Sequence, residues 1–140
     1  MRSAFHQVLV VTADEDCEYA VRKAALKHRG VKAVHHLTDP TQIFPFLSKL
    51  EIRNGNLPGV VFLDLETGKA ETKMFLDVLY RDYLDIAKRS VVLVNPNGDL
   101  DTIIDFSLNP CVRNTLNKPL SEEEITKALD HTLAHWTEIQ

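Results

Sequence analysis

Two residues of opposite charge stand at the ends of two short apolar runs. Val60-Val61-Phe62-Leu63 delivers Asp64, and the run Val112 to Leu116 is followed by Asn117 and then Lys118-Pro119. A carboxylate at the carboxyl end of one buried strand can serve as a nucleophile, and an ammonium at the end of another can steady phosphoryl oxygens. That combination is what phosphoacceptor chemistry needs. A metal that assists such chemistry wants further carboxylates close by. The first apolar run, Val8-Leu9-Val10-Val11, ends in Thr12-Ala13, and acids begin only at Asp14.

The elements that would bring these residues together follow from the alternation of short apolar runs with helical patterns, the mark of βαβ units around a parallel sheet. Val8–Val11, Val31–Leu37, Val60–Leu63, Val91–Val94 and Val112–Leu116 read as five strands. Asp14 or Asp16 caps a first helix that runs to about His28 and stops at Gly30. Asp39-Pro40 opens a second, in which Pro45 is tolerable only within the first turn. Met74 to about Leu84 is a third, and Asp101 to Leu108 a short fourth that stops at Asn109-Pro110. Ser121 with Glu124 forms a capping box before the last helix, whose face is Ile125, Ala128, Leu129, Thr132, Leu133 and Trp136. Turn-rich stretches lie at 53–59 and at Asn95-Pro96-Asn97-Gly98. The expectation is an α/β chain, a single (βα)5 domain over residues 1–140 with a doubly wound, flavodoxin-like sheet in the order 2-1-3-4-5. In such a sheet function gathers at the carboxyl ends of the strands, which places Asp64 and Lys118 in one crevice.

Composition narrows the classes. The 140 residues carry a formal charge of −4, 44% hydrophobic and 26% charged residues, enough chain for a core without disulfides. An acidic balance argues against a nucleic-acid binder, which shows a basic face. No run approaches the length of a membrane span, and Val8–Val11 is too brief for a signal peptide. Cys17 and Cys111 have no paired spacing, which fits buried thiols in a reducing compartment. The expected location is the cytoplasm, with neither nucleic acid nor membrane as partner.

With strand order and residues both in place, the chain resembles the receiver domain of two-component response regulators, the CheY-like fold, over nearly its whole length. The long link from Leu50 to Pro58 and the tail Leu133-Ala134-His135-Trp136 are similar to single-domain regulators that partner bacterial phytochromes. The resemblance implies that Asp64 is the phosphoacceptor, that Lys118 contacts the phosphoryl group, and that Glu66 offers its backbone carbonyl to Mg²⁺. It places the usual strand-end hydroxyl at Asn95 and the usual aromatic switch at Thr115, so both are replaced. The usual acidic pair falls on Thr12 and Ala13 without a gap, or on Ala13 and Asp14 with a one-residue insertion. The second alignment leaves Asp14, Asp64 and Glu66 as a weak Mg²⁺ site. The implied role is phosphorelay signalling through a sensor histidine kinase or a downstream signalling protein, with no output domain attached and no enzymatic activity. The alternative is a phosphorylation-independent interaction module, a homodimer through the fourth and fifth helices.

Three further patterns receive structural readings. Asp64-Leu65-Glu66-Thr67-Gly68 is similar to the first motif of 3′–5′ exonucleases, but that motif belongs on a first strand, and here a long stretch of chain precedes it. His131 and His135 have a chelating i, i+4 spacing but no third ligand, which makes a solvated face the expectation. His35 and His36 point to opposite sides of a strand. Phe5, Ile104, Phe106, Leu133 and Trp136 are expected in the core.

Overall fold

The computed structural model describes residues 6–53, 58–82, 91–95 and 100–138. Five strands, β1 (His6–Val11), β2 (Val31–Leu37), β3 (Val60–Asp64), β4 (Val91–Asn95) and β5 (Val112–Asn117), form one sheet. Its order is β2-β1-β3-β4-β5 and all pairs are parallel. The described helices are α1 (Glu15–Lys27), α2 (Ile43–Arg53), α3 (Lys69–Asp82), α4 (Leu100–Ser107) and α5 (Glu122–Glu138).

β3 and β4 are buried along their whole length, as strands covered on both faces should be. Side chains alternate between those faces. Leu9, Val11, Val61, Leu63 and Leu93 face Ile43, Leu47, Phe75, Leu76, Leu79 and Phe106 from α2, α3 and α4. Val8, Val10, Val60, Phe62, Val92 and Val94 face Cys17, Val21 and Ala25 of α1 and Ile125, Leu129 and Leu133 of α5. The sheet is therefore the middle of three layers. Each strand-to-helix crossing brings the chain back at the same end, so every strand's carboxyl end lies on one edge of the molecule.

The helix boundaries have local causes. Asp14 is extended and its side chain accepts from Asp16 N, capping α1. Asp39 and Gln42 form a reciprocal capping box around a 3₁₀ turn, Pro40–Gln42, so Pro45 does fall in the first turn of α2. Ser121 Oγ accepts from Glu124 N, but the hydroxyl then donates to the Glu124 carboxylate, so half of the expected box is made. α3 begins five residues before the expected Met74. After the 3₁₀ turn Leu65–Thr67 the chain bends at Gly68, with φ of +153°, and its carbonyl accepts from both Thr72 N and Thr72 Oγ1. That bend starts the helix where apolar periodicity is still invisible. Leu84 and the turn after Asn95 lie outside the described residues.

Ile104 is exposed, against expectation, whereas Phe106 and Leu133 are buried. Phe5 and the side chains of His135 and Trp136 lie outside the described residues. Cys17 and Cys111 are buried free thiols. Burial pushes each up to about 11, with the charge of Asp64 adding to it at Cys17, so neither is a reactive thiolate. No helix among the described residues is long and apolar enough to cross a membrane.

Candidate functional site

Register brings the strand ends level. Val11 lies beside Leu63, Asp64 beside Val94, and Asn95 beside Asn117. Two bonds extend the ladder past the strands: Thr12 N donates to Leu37 O at 2.9 Å and Lys118 N to Asn95 O at 3.1 Å. The residues immediately after β1, β3 and β5 therefore converge in one place.

Lys118 is at the centre. Its Nζ donates to Asp14 Oδ2 at 2.8 Å, Asp64 Oδ2 at 2.9 Å and Glu66 Oε2 at 2.7 Å. The Asp64 side chain is 0% exposed, that of Lys118 14%, Asp14 36% and Glu66 61%. The cluster thus runs from a fully desolvated carboxylate outward to water. Burial opposes the Lys118 charge, but the bonds to Asp14, Glu66 and Asp64 outweigh it and hold its pKa above the ordinary lysine value. The hydrogen bond from Lys118 holds the Asp14 carboxyl below the usual aspartate range, burial acting against it.

A candidate oxygen from each of Asp14, Asp64 and Glu66 lies within 4.8 Å of the others. Three carboxylates against one ammonium leave an excess of two negative charges at hard oxygen donors, a set that suits Mg²⁺. The donor chemistry fits the ion that the sequence resemblance implies.

Thr12 and Ala13 bring no carboxylate, and Asp14 reaches the site from the N-cap of α1. Glu66 contributes its side chain, where the sequence pointed to its backbone carbonyl. Thr12 was legible only as a missing acid, yet it is fully buried and its Oγ1 donates to Asp64 Oδ2 at 2.6 Å. Thr12 Oγ1 in turn accepts from Asp14 N at 3.0 Å. The other Asp64 oxygen, Oδ1, accepts from Glu66 N at 3.0 Å. Thr67 Oγ1 accepts from Ala13 N at 3.1 Å, tying the loop after β1 to the loop after β3.

The two positions that the resemblance assigns to the hydroxyl and the aromatic differ in kind. Asn95 ends β4 and is buried. Thr115 lies mid-strand on β5, partly buried and opposite Leu93; it has no ring to move between an inward and an outward place. A groove of about 400 Å³ opens beside the cluster, lined by Asp14, Asp16, Cys17, Ala20, Lys118 and Pro119 among others.

Other candidates resolve as structural. His131 meets Arg113 Nη2 at 3.0 Å and Asn114 Oδ1 at 3.3 Å on β5. His35 turns to Gln7 Oε1 and His36 to the Thr12 carbonyl, on opposite sides of β2 as expected. The residues of the exonuclease-like motif stand at the end of the third strand, Asp64, and in the turn after it, Glu66, while Asp105 pairs with Lys73 and Asp130 with His28.

No family model matches the sequence, and no curated protein does. Solved structures are similar in fold. The signal receiver domain of an HD domain-containing protein from Pseudomonas fluorescens Pf-5 aligns with a TM-score of 0.78 at 17% identity, over 99% of this chain and 93% of that one. A response regulator receiver domain protein from Clostridium thermocellum aligns with a TM-score of 0.75 at 18% identity, over 97% and 100%. A response regulator from Thermotoga maritima gives 0.74 at 19% identity, over 93% and 98%. The fold is that of a response-regulator receiver domain, CheY-like and flavodoxin-like in topology.

Proposed function

We propose that this chain is a receiver domain that accepts a phosphoryl group at Asp64 and signals through contacts with other proteins, a sensor histidine kinase upstream or a signalling partner downstream. The single observation that carries the reading is the Lys118 ammonium, held at 2.7–2.9 Å from carboxylate oxygens of Asp14, Asp64 and Glu66. It is a cationic centre beside a buried strand-end carboxylate, at the edge of the sheet where this fold type gathers function. In the reaction an Asp64 oxygen lone pair attacks phosphorus, and the bond from phosphorus to the donor's leaving group breaks with its electron pair on that group. Lys118 then follows the negative phosphoryl oxygens. Asp14, Asp64 and Glu66 would hold Mg²⁺, which when bound supplies charge neutralisation at the phosphoryl oxygens. Intact mass after incubation with acetyl phosphate and Mg²⁺ tests the reading. A gain of one phosphoryl group that Asp64→Asn abolishes is expected, and no gain overturns it.

A second reading rests on a different observation. Leu100, Ile104 and Leu108 are exposed at four-residue spacing along α4 and just past it, and Thr115 has no aromatic ring to relay a change. A module that binds through this face regardless of phosphorylation would pair in the absence of phosphodonor and Mg²⁺. Sedimentation velocity of the untreated protein separates the two, since a dimer that Ile104→Glu disperses belongs to the second reading.

A further inference from the structure

In the ungapped alignment Thr12 takes the place of an acid, and that exchange reverses the hydrogen-bond polarity at Asp64. An ionised acid beside Asp64 can only accept and repel; a hydroxyl donates. We propose that Thr12 is a positioning residue that reserves Oδ2 of Asp64, leaves Oδ1 as the attacking oxygen, and holds the site toward its unphosphorylated form. The inference rests on Asp64 being the phosphoacceptor.

The geometry carries it. Oδ2 accepts from Thr12 Oγ1 at 2.6 Å and from Lys118 Nζ at 2.9 Å, while Oδ1 accepts from Glu66 N at 3.0 Å. Two donors occupy the lone-pair directions of Oδ2, of which the Lys118 bond is the one that Mg²⁺ would displace, and the single backbone bond leaves Oδ1 one direction open. The Thr12 hydroxyl oxygen also accepts from Asp14 N, and Thr12 is fully buried, with its own amide fixed to Leu37 O.

The chemical step weakens this contact. With an acyl phosphate as donor, a lone pair of Oδ1 forms the new bond to phosphorus as the bond from phosphorus to the acyl oxygen breaks, and the carboxylate leaves with that electron pair. No proton is transferred. Oδ2 thereby changes from a carboxylate oxygen into the carbonyl oxygen of a mixed anhydride. Hydrogen bonds to charged acceptors are about twice as strong as those to neutral ones, so the Thr12 bond favours the starting state over the product.

The test is the rate of phosphoryl gain by intact mass, with acetyl phosphate and Mg²⁺, in wild type, Thr12→Val, Thr12→Ala and Thr12→Ser. Valine keeps the shape and removes the donor, together with the acceptor that Asp14 N uses. Thr12→Val is expected to react about fivefold faster than wild type, from the loss of a charge-assisted bond that weakens along the reaction. Thr12→Ser, which restores the hydroxyl, is expected to return the rate to the slow value, a rescue that a purely packing role would not show. Thr12→Ala gives the same comparison should valine fail to fold. Hydroxyl-free variants that react no faster than a reactive wild type overturn the inference and leave the phosphoacceptor intact. If no form gains a phosphoryl group, the phosphoacceptor reading falls, and this inference with it.

Discussion

Replacing Lys118 by methionine keeps an apolar stem of similar length and removes the ammonium from among three carboxylates. The bond to Asp64 is the costly one to lose, because that side chain is 0% exposed and Lys118 only 14%. At 2.9 Å, two unit charges interact by about 6 kcal/mol with an effective dielectric of ~20. Desolvation of both groups takes back part of this, and removing one member of a buried pair typically costs ~3–5 kcal/mol. Asp14 and Glu66 are far more exposed and add at most about 1 kcal/mol each. Lys118→Met should therefore lose about 4 kcal/mol of unfolding free energy in urea, followed by far-ultraviolet circular dichroism at neutral pH without divalent cations. The second half of the prediction separates charge from packing. With the ammonium gone, Mg²⁺ no longer competes for the carboxylates, and at 100 times its dissociation constant a ligand of the folded state restores ~2.7 kcal/mol. Mg²⁺ should thus raise the variant's midpoint more than the wild type's. A loss below about 1 kcal/mol, or a Mg²⁺ response equal in the two proteins, would refute the view of Lys118 as the cluster's internal counter-ion.

The remaining predictions follow from the same geometry. The folded pKa of Asp14 is lowered from 3.8 by its Lys118 hydrogen bond, so its contribution is present above that value and lost as pH falls through the lower folded one. That of Lys118 is raised from 10.5, so its contribution is present below 10.5 and lost only as pH rises through the higher folded value; the stability gap between wild type and Lys118→Met should be level between these limits and narrow in acid by the part that Asp14 supplies. Burial lowers His35 from 6.5, so its neutral form adds stability above 6.5 that is lost as pH falls through the lower folded value, and His35→Gln should flatten urea midpoints over that interval. Asp14→Asn and Glu66→Gln should each weaken Mg²⁺ binding by about an order of magnitude in calorimetry, since affinity follows ligand charge; equal affinity in either would remove that side chain from the metal set. At Gly68 a side chain would have to adopt φ of +153° and its Cβ would lie 2.6 Å from Glu71 Oε2, so Gly68→Ala should cost ~1–3 kcal/mol in thermal unfolding.

What could be read in the sequence and what could not divide along physical lines. The two central strands were legible because fully buried parallel strands are continuous apolar runs, whereas Val31–Leu37, an edge strand, was legible from its alternation and matches the structure residue for residue. Asp64 and Lys118 were legible because each directly follows or nearly follows such a run, and a doubly wound sheet aligns those ends. Thr12 was not, since its role is a contact across 52 residues and a buried hydroxyl leaves no periodic trace. The side-chain part played by Glu66 was hidden likewise, because its reach to Lys118 depends on the 3₁₀ turn Leu65–Thr67 and the bend at Gly68. The same bend concealed the start of α3. Ile104 misled by type alone: α4 is short, and its register turns Phe106 inward and Ile104 out.

The most direct measurement of the central claim identifies the modified atom's residue. After treatment with acetyl phosphate and Mg²⁺, borohydride reduction converts an aspartyl acyl phosphate to homoserine, which tandem mass spectrometry locates in the chain. The account predicts homoserine at position 64 and its absence when Mg²⁺ or the phosphodonor is omitted. Homoserine at another acid, or none at all under conditions that label a reactive receiver, would contradict it.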